Sequence, residues 1–127
     1  MSDEWFQDWV ARAEEDYAIA SSLDPDRTPR GICFHCQQCV EKYLKAALVR
    51  HGIPTRKTHN LILLNDLLTE RDPRFGQFAE HLRVLNPYSV ATRYPGPDIS
   101  PEDARHARKT MEHLRAEIRR LLESAAD

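Results

Sequence analysis

The sequence is poor in glycine, the most flexible residue, and in cysteine, which can link the chain covalently. It contains four glycines and three cysteines in 127 residues. An odd number of cysteines, all within the segment 33–39, does not make a disulfide framework. The formal net charge of −2 argues against a protein that coats nucleic acid nonspecifically, although it is compatible with a local basic site.

Long apolar runs are also missing, since none approaches the ~18 residues that a membrane-spanning helix requires. The first nine residues, MSDEWFQDW, are acidic and amphipathic, which is typical of neither a signal peptide nor a transit peptide. We therefore expect a cytoplasmic protein that has no membrane association. Its length predicts a single domain, residues 1–127, with enough buried surface for a core that needs no disulfide.

Apolar residues recur at steps of three and four along most of the chain, which predicts an all-α fold. Capping residues followed by proline mark three helix starts, at Thr28-Pro29, Asp72-Pro73 and Ser100-Pro101. Ser2 and Thr58 are candidate caps for two further helices. The sequence thus predicts an up-and-down helical bundle of four long helices plus one short helix.

The predicted helices differ in length and in how they end. The first ends near residue 23, the second runs over 29–51 and stops at Gly52, and the short third follows residue 58. The fourth runs from 73 to about 85, and the last begins at 101. Residues 86–100 form the longest predicted irregular stretch, and such long loops are often functional. The residues predicted to face the core are Phe6, Val10, Ala13, Tyr17, Ala20, Leu61, Leu64, Leu68, Phe75, Phe78, Leu82, Leu85, Ala104, Ala107, Met111, Leu114, Ile118 and Leu121.

The predicted second helix has two different faces. Its apolar stripe consists of Cys36, Val40, Tyr43 and Ala47. Its polar stripe consists of His35, Gln38, Lys42 and Lys45. A row of histidine, glutamine and two of the chain's four lysines is suited to bind a nucleotide, an RNA or a partner protein.

The spacing of Cys33, Cys36 and Cys39 resembles that of a metal site, but a helix does not bring these thiols together. Successive steps of three residues spread them around the helix axis, whereas zinc needs ligands that converge tetrahedrally. Cysteine also packs well as a small apolar residue. We interpret the three as packing residues and expect no metal and no cofactor.

Two loops carry further candidate site residues, and each has two interpretations. His59 follows the basic pair Arg56-Lys57 just before the third helix, where cations and a helix N-terminus would favour a phosphate. Alternatively, His59 caps or positions that helix. In the long loop, Arg93 could bind phosphate and Tyr94 could stack on a base. Alternatively, Tyr94 packs on the bundle and Arg93 pairs with Glu41.

The pattern Arg-x4-His occurs twice, as Arg30…His35 and Arg108…His113. Five residues on a helix separate two side chains by ~140°, so neither pair should face one point within the chain. We discount both matches, because such pairs arise by chance in a sequence rich in arginine and histidine.

Several segments resemble the HEPN domain family. Residues 34–48, FHCQQCVEKYLKAAL, are similar to the family's signature helix, "Q-Q-x-x-E-K-x-x-K-A". Residues 9–17 resemble its first helix, Thr58-His59-Asn60-Leu61 resembles its "H-x-L", and Arg93-Tyr94-Pro95 precedes the last helix as in the family. The resemblance covers about residues 5–122.

The resemblance implies a helical bundle that often dimerises and is similar to the C-terminal helical domain of kanamycin nucleotidyltransferase. HEPN proteins are commonly encoded beside a minimal nucleotidyltransferase, in toxin–antitoxin pairs. Many are metal-independent ribonucleases that use Arg-x4–6-His motifs meeting at a dimer interface. In this chain Gly31 follows Arg30 and no Arg-Asn-x-x-x-His occurs, so no catalytic residue carries over. The motif positions that do carry over are Gln38, Glu41, Lys42, Lys45, His59, Arg93 and Tyr94.

Three functions follow as hypotheses. In the first, the protein binds a nucleotide or acts as an accessory partner of a minimal nucleotidyltransferase in a toxin–antitoxin-type module. In the second, it is a metal-independent RNase toxin acting as a dimer. In the third, the domain is purely structural and serves oligomerisation. The candidate binding residues, for a nucleotide or for a partner protein, are His35, Gln38, Glu41, Lys42, Lys45, His59, Arg93 and Tyr94.

Overall fold

A computed structural model describes residues 2–96 and 98–125. Within these residues the chain forms α-helices and one 3₁₀ helix and contains no strand, which confirms the all-α prediction. The elements are α1 (Ser2–Ser22), α2 (Pro29–Arg50), α3 (Leu61–Arg71), the 3₁₀ helix (Pro73–Phe78), α4 (Ala79–Leu85), α5 (Tyr88–Ala91) and α6 (Pro101–Ala125). No helix of this described part is long and apolar enough to cross a membrane.

Helix α2 is the centre of the bundle, because it contacts α1, α3, α4, α5 and α6. Its apolar stripe is fully buried, and so are the three cysteines, which pack in the core as predicted. The predicted stripes of α3, α4 and α6 are buried as well. On α1, Phe6, Ala13 and Ala20 are buried, whereas Val10 and Tyr17 are only partly buried against the core.

The helix caps at α6 and at the 3₁₀ helix agree with the sequence, and others differ. Ser100 and Asp103 form a reciprocal capping box at α6, each side chain accepting a hydrogen bond from the other residue's backbone N–H. Gly52, just after α2, has the left-handed φ of 70° that favours glycine. Thr28 precedes α2 without capping it, since its hydroxyl donates to the carbonyl of Asp24. Ser2 was predicted as the cap of α1, but its side chain is not among those that the structure describes.

The cap of α3 is Asn60 and not Thr58. The Asn60 side-chain oxygen accepts hydrogen bonds from the backbone N–H groups of Ile62 and Leu63, at 3.0 and 3.2 Å. The Thr58 hydroxyl accepts from the N–H of Asn60 instead, at 3.1 Å. The prediction of Thr58 was wrong because residues 58–60 are not helical and Asn60 is extended, so α3 begins later.

The predicted fourth helix is divided into the 3₁₀ helix and the short α4. Asp72 caps the 3₁₀ helix by accepting from the N–H of Arg74. A period of three residues aligns Phe75 directly with Phe78, and their rings meet edge to face with centroids 5.7 Å apart. Burying this aromatic pair favours the tighter helix in the first part of the segment.

The stretch 86–100 is not wholly irregular, because it contains α5. The Arg30 guanidinium donates to the carbonyl of Ala91 at 3.1 Å and so ties α5 to the start of α2. The Asn86 side chain accepts from the N–H of Leu61 at 2.7 Å. Both contacts fix the long connection against the bundle, beside the start of α3.

Candidate functional site

A groove of about 400 Å³ lies between the start of α3 and the segment around α5. It is lined by His59, Asn60, Asn86, Ser89, Val90, Arg93 and Tyr94. Three of these, His59, Arg93 and Tyr94, are residues that the sequence predicted for a binding site. Tyr94 is 64% exposed and Val90 is 60% exposed, so this face presents an aromatic and an aliphatic surface to solvent.

A buried carboxylate holds the His59 ring. Nδ1 of His59 lies 2.8 Å from an oxygen of Glu41, and Glu41 is only 3% exposed. A carboxylate accepts hydrogen bonds, so Nδ1 carries the proton and Nε2 is the other ring nitrogen, capable of accepting or, when protonated, donating. Half of the His59 side chain is exposed on the groove. The pair therefore has the arrangement of an oriented general base or acid.

Glu41 belongs to a buried polar network on α2. Its second oxygen accepts from Nζ of Lys45 at 3.1 Å, and Nε2 of Gln37 approaches its first oxygen at 3.3 Å. The same Gln37 nitrogen donates to the backbone carbonyl of His59 at 3.0 Å, and Gln38 donates to the Gln37 oxygen at 2.7 Å. The network thus fixes both the ring and the backbone of His59.

The polar stripe of α2 is not an open cationic face, contrary to its appearance in the sequence. Asp16 of α1, 6% exposed, is contacted by Nδ1 of His35 at 2.8 Å and by Nζ of Lys42 at 2.5 Å. Lys45 is paired with Glu41 and lies 5.4 Å from the ring centroid of Trp9. Both lysine charges are therefore neutralised within the chain, and neither lysine lines the groove.

Arg93 lies between the groove and a neighbouring hollow. Its guanidinium carbon is 5.4 Å from the ring centroid of Phe34, a cation–π contact. The alternative pairing of Arg93 with Glu41 is wrong, because Glu41 is occupied by His59 and Lys45. The hollow, about 320 Å³, is lined by Arg30, Gly31, Phe34, Thr92 and Arg93.

The first backbone amides of α3 are already occupied. The Leu61 N–H donates to Asn86, and those of Ile62 and Leu63 donate to Asn60. The prediction that these backbone amides bind a phosphate is therefore wrong. An anion at this place would have to be bound by side chains of the groove.

The two Arg-x4-His pairs do not converge within the chain, as predicted. Arg30 donates to a carbonyl of α5, whereas His35 pairs with a carboxylate of α1. Arg108 donates to two carbonyls at the end of α1, at 3.2 and 3.0 Å, whereas His113 stacks on His81 with ring centroids 4.4 Å apart. These arginines and histidines have structural partners of their own.

Comparison with protein families identifies the fold that these residues build. A family model described as HEPN domain matches residues 6–121. The chain belongs to the HEPN domain family. A Methanocaldococcus jannaschii protein named "Putative toxin MJ1304" is 27% identical to this HEPN chain over 122 residues, covering 84% of the chain and 80% of that protein. No solved structure shows a significant match to the HEPN chain described here.

The sequence did not indicate every residue of the HEPN groove. The sequence pattern indicates only that a helix ends at Asn86, yet Asn86 lines the groove and bonds to the start of α3. Nothing in the sequence marks Ser89, although it is buried and lines the groove. Glu41 was a candidate, but its role as the partner of His59 was not predicted. Nothing in the local pattern around these residues signals contacts between segments so far apart.

Proposed function

We propose that this HEPN protein binds a nucleotide in the groove between His59, Arg93 and Tyr94, as one member of a toxin–antitoxin-type module. The observation that carries the proposal is the convergence of these three side chains on one groove, with His59 fixed by the buried Glu41. The module is supported by the 27% identical relative, because that protein is named as a toxin.

The chemistry of the lining suits a nucleoside phosphate. The exposed guanidinium of Arg93 can donate two parallel hydrogen bonds to a phosphate, and Tyr94 offers a ring on which a base can stack. The side-chain oxygens of Asn60 and Asn86 accept from the start of α3, so the NH2 group of Asn60 is the donor that can meet a polar edge of a base. A minimal nucleotidyltransferase as partner and a homodimer as the assembly remain proposals that derive from the family.

A second candidate, a metal-independent ribonuclease, is favoured by one observation, the Glu41–His59 pair. Nε2 of His59 would take the proton of an RNA 2′-hydroxyl as the 2′ oxygen attacks the adjacent phosphorus. The bond from phosphorus to the 5′ oxygen then breaks and leaves a 2′,3′-cyclic phosphate. The 5′ oxygen takes a proton from a water molecule, and the protonated His59 returns its proton to that water. Arg93 would stabilise the charge that develops on the phosphate oxygens.

Titration calorimetry with AMP, ADP and ATP tests nucleotide binding. We expect Arg93→Ala to weaken binding by about tenfold to a hundredfold, since a hydrogen bond to a charged group contributes roughly 1.5–3 kcal/mol. The matched control is Arg120→Ala, because Arg120 is exposed on α6 and pairs with Glu117. Absence of binding to all three nucleotides, or equal affinity in both variants, would refute the proposal.

Incubation with RNA in the presence of EDTA separates the two candidates. A ribonuclease should cleave the RNA, and His59→Ala should abolish cleavage while His106→Ala, an exposed histidine of α6, should not. Nucleotide binding without any cleavage by the wild type would leave the first function and exclude the second.

A further inference from the structure

A separate cavity of about 250 Å³ lies where the start of α1 meets the ends of α2 and α6. We name it the arginine cavity. It is lined by Phe6, Gln7, Val10, Tyr43, Arg50, Arg119, Leu122 and Glu123. It shares no residue with the groove around His59, so what it binds is independent of the proposed function.

Half of the residues that line the arginine cavity are aliphatic or aromatic. Phe6 and Leu122 are 9% and 5% exposed, and the Tyr43 ring is fully buried. Val10 is half-buried beside them. Such walls favour a ligand with an apolar body, because removing apolar surface from water stabilises a complex.

Two guanidinium groups border this apolar surface, and each is held in place. The Arg50 guanidinium carbon lies 3.9 Å from the Phe6 ring centroid, and its Nη1 donates to the carbonyl of Leu122. Nη1 of Arg119 donates to the Tyr43 hydroxyl oxygen at 2.7 Å. Each arginine keeps further N–H donors beyond these single bonds, since a guanidinium has five.

The carboxylate nearest to Arg119 is already satisfied. Glu14 lies 3.7 Å from Arg119, but it receives two shorter hydrogen bonds from Arg115, at 2.7 and 2.6 Å. It also accepts a hydrogen bond from the Tyr43 hydroxyl at 2.6 Å. Burial raises the pKa of Tyr43 to about 12, so this hydroxyl stays protonated.

The charges of the lining leave an excess of one positive charge. Among residues 2–96 and 98–125, Arg50 forms no ion pair, and the exposed Glu123 pairs with neither arginine of the cavity. Two arginines and one glutamate line the cavity, and Glu14 is balanced by Arg115. This arrangement matches a ligand that carries a single negative charge.

We propose that the arginine cavity binds a carboxylate attached to a small apolar body, such as a phenyl or branched aliphatic group. Arg50 and Arg119 hold the carboxylate, and the ring or chain of the ligand packs on Phe6, Val10 and Leu122. A carboxylate matches the planar fork of guanidinium, whereas the apolar walls offer little to replace the hydration of an inorganic phosphate. The volume is below the ≈300–1,000 Å³ usual for drug-sized ligands, which favours a small one.

The test uses the full chain and four probes, with binding measured by NMR titration and thermal melting. The acids are 3-phenylpropionate, which represents a free metabolite, and an N-acetylated tetrapeptide ending in Phe, which represents the C-terminus of a partner protein. The controls are 3-phenylpropionamide, which lacks the charge, and acetate, which lacks the apolar body. We expect at least one acid to bind at least tenfold more tightly than both controls, and the stronger acid identifies the source.

Variants then locate the site. Arg119→Gln should weaken acid binding about tenfold, whereas Arg120→Gln, one residue further along α6, should leave it unchanged. If Arg119→Gln does not fold, Arg119→Lys keeps the charge but loses the fork, and should still weaken binding. The proposal is overturned if neither acid binds, if the amide binds as tightly as the acid, or if the Arg119 variants bind like the wild type.

Discussion

Replacing Glu41 with glutamine should destabilise the protein strongly, because Glu41 is the partner of a buried cation. The Lys45 side chain is 9% exposed and the Glu41 side chain 4% exposed, with Nζ and the carboxylate 3.1 Å apart. Glutamine has nearly the same shape but no charge. The substitution therefore leaves the Lys45 ammonium buried without its counter-charge and weakens the hydrogen bond to His59.

The magnitude follows from the degree of burial. Breaking a buried ion pair by removing one partner costs about 3–5 kcal/mol. The amide oxygen of glutamine can still accept a hydrogen bond, so we expect the lower end, about 3 kcal/mol. Domains of this size unfold with about 5–15 kcal/mol, and 1 kcal/mol shifts Tm by roughly 4 °C. Glu41→Gln should thus lower Tm by about 12 °C.

Urea denaturation of a double-mutant cycle measures this cost and assigns it to the pair. Glu41→Gln is compared with Lys45→Met and with the double variant, and the exposed Glu15→Gln serves as control. The double variant should recover most of the lost stability, because it buries no unpaired charge. A loss below about 1 kcal/mol for Glu41→Gln, or strictly additive losses in the double variant, would refute the reasoning.

Three further predictions concern other parts of the bundle. Ser100→Ala removes half of the α6 capping box and should lower the free energy of unfolding by about 1 kcal/mol in urea titrations, whereas an unchanged midpoint would contradict the role of the cap. Hydrogen bonds from Arg115 hold the pKa of Glu14 below its ordinary value of 4.5, so its contribution to stability is complete above that value and is lost as the pH falls through the lower, folded-state pKa. Stability should therefore fall more steeply between about pH 5 and pH 3 in the wild type than in Glu14→Gln, and parallel curves would contradict this. Burial raises the pKa of the Cys33 thiol to about 11, so iodoacetamide at pH 8 should leave it unlabelled in the folded protein and label it in urea, as mass spectrometry would show.

The boundaries of the long helices were predictable because their signals are local. Ser100, Pro101 and Asp103 stand next to each other in the sequence, and together they start α6 where predicted. The apolar residues of that helix recur over its whole length, so the buried face followed from periodicity alone. The 3₁₀ helix was missed because residues 73–78 also satisfy a helical pattern, and only the packing of Phe75 on Phe78 distinguishes the two.

The candidate site was predicted in part. His59, Arg93 and Tyr94 were selected from the sequence, and they line one groove. Lys42 and Lys45 were selected on the same grounds, but the structure places them in ion pairs within the bundle. The stripe indicates on which side of α2 these side chains lie. It could not show that α1 brings Asp16 to Lys42, whereas the partner of Lys45 is Glu41, four residues earlier on α2 itself.

The sequence by itself determined the helical class, the start of α6, the apolar faces and the HEPN signature, since each depends on residues within a few positions of one another. The tertiary structure decided which charges are neutralised and which groups meet at the groove. Glu41 and His59 are 18 positions apart, and Asn86 and Leu61 are 25 apart. Such contacts depend on the rotation and axial register of packed helices, which are set by the fit of the whole core and not by any one segment.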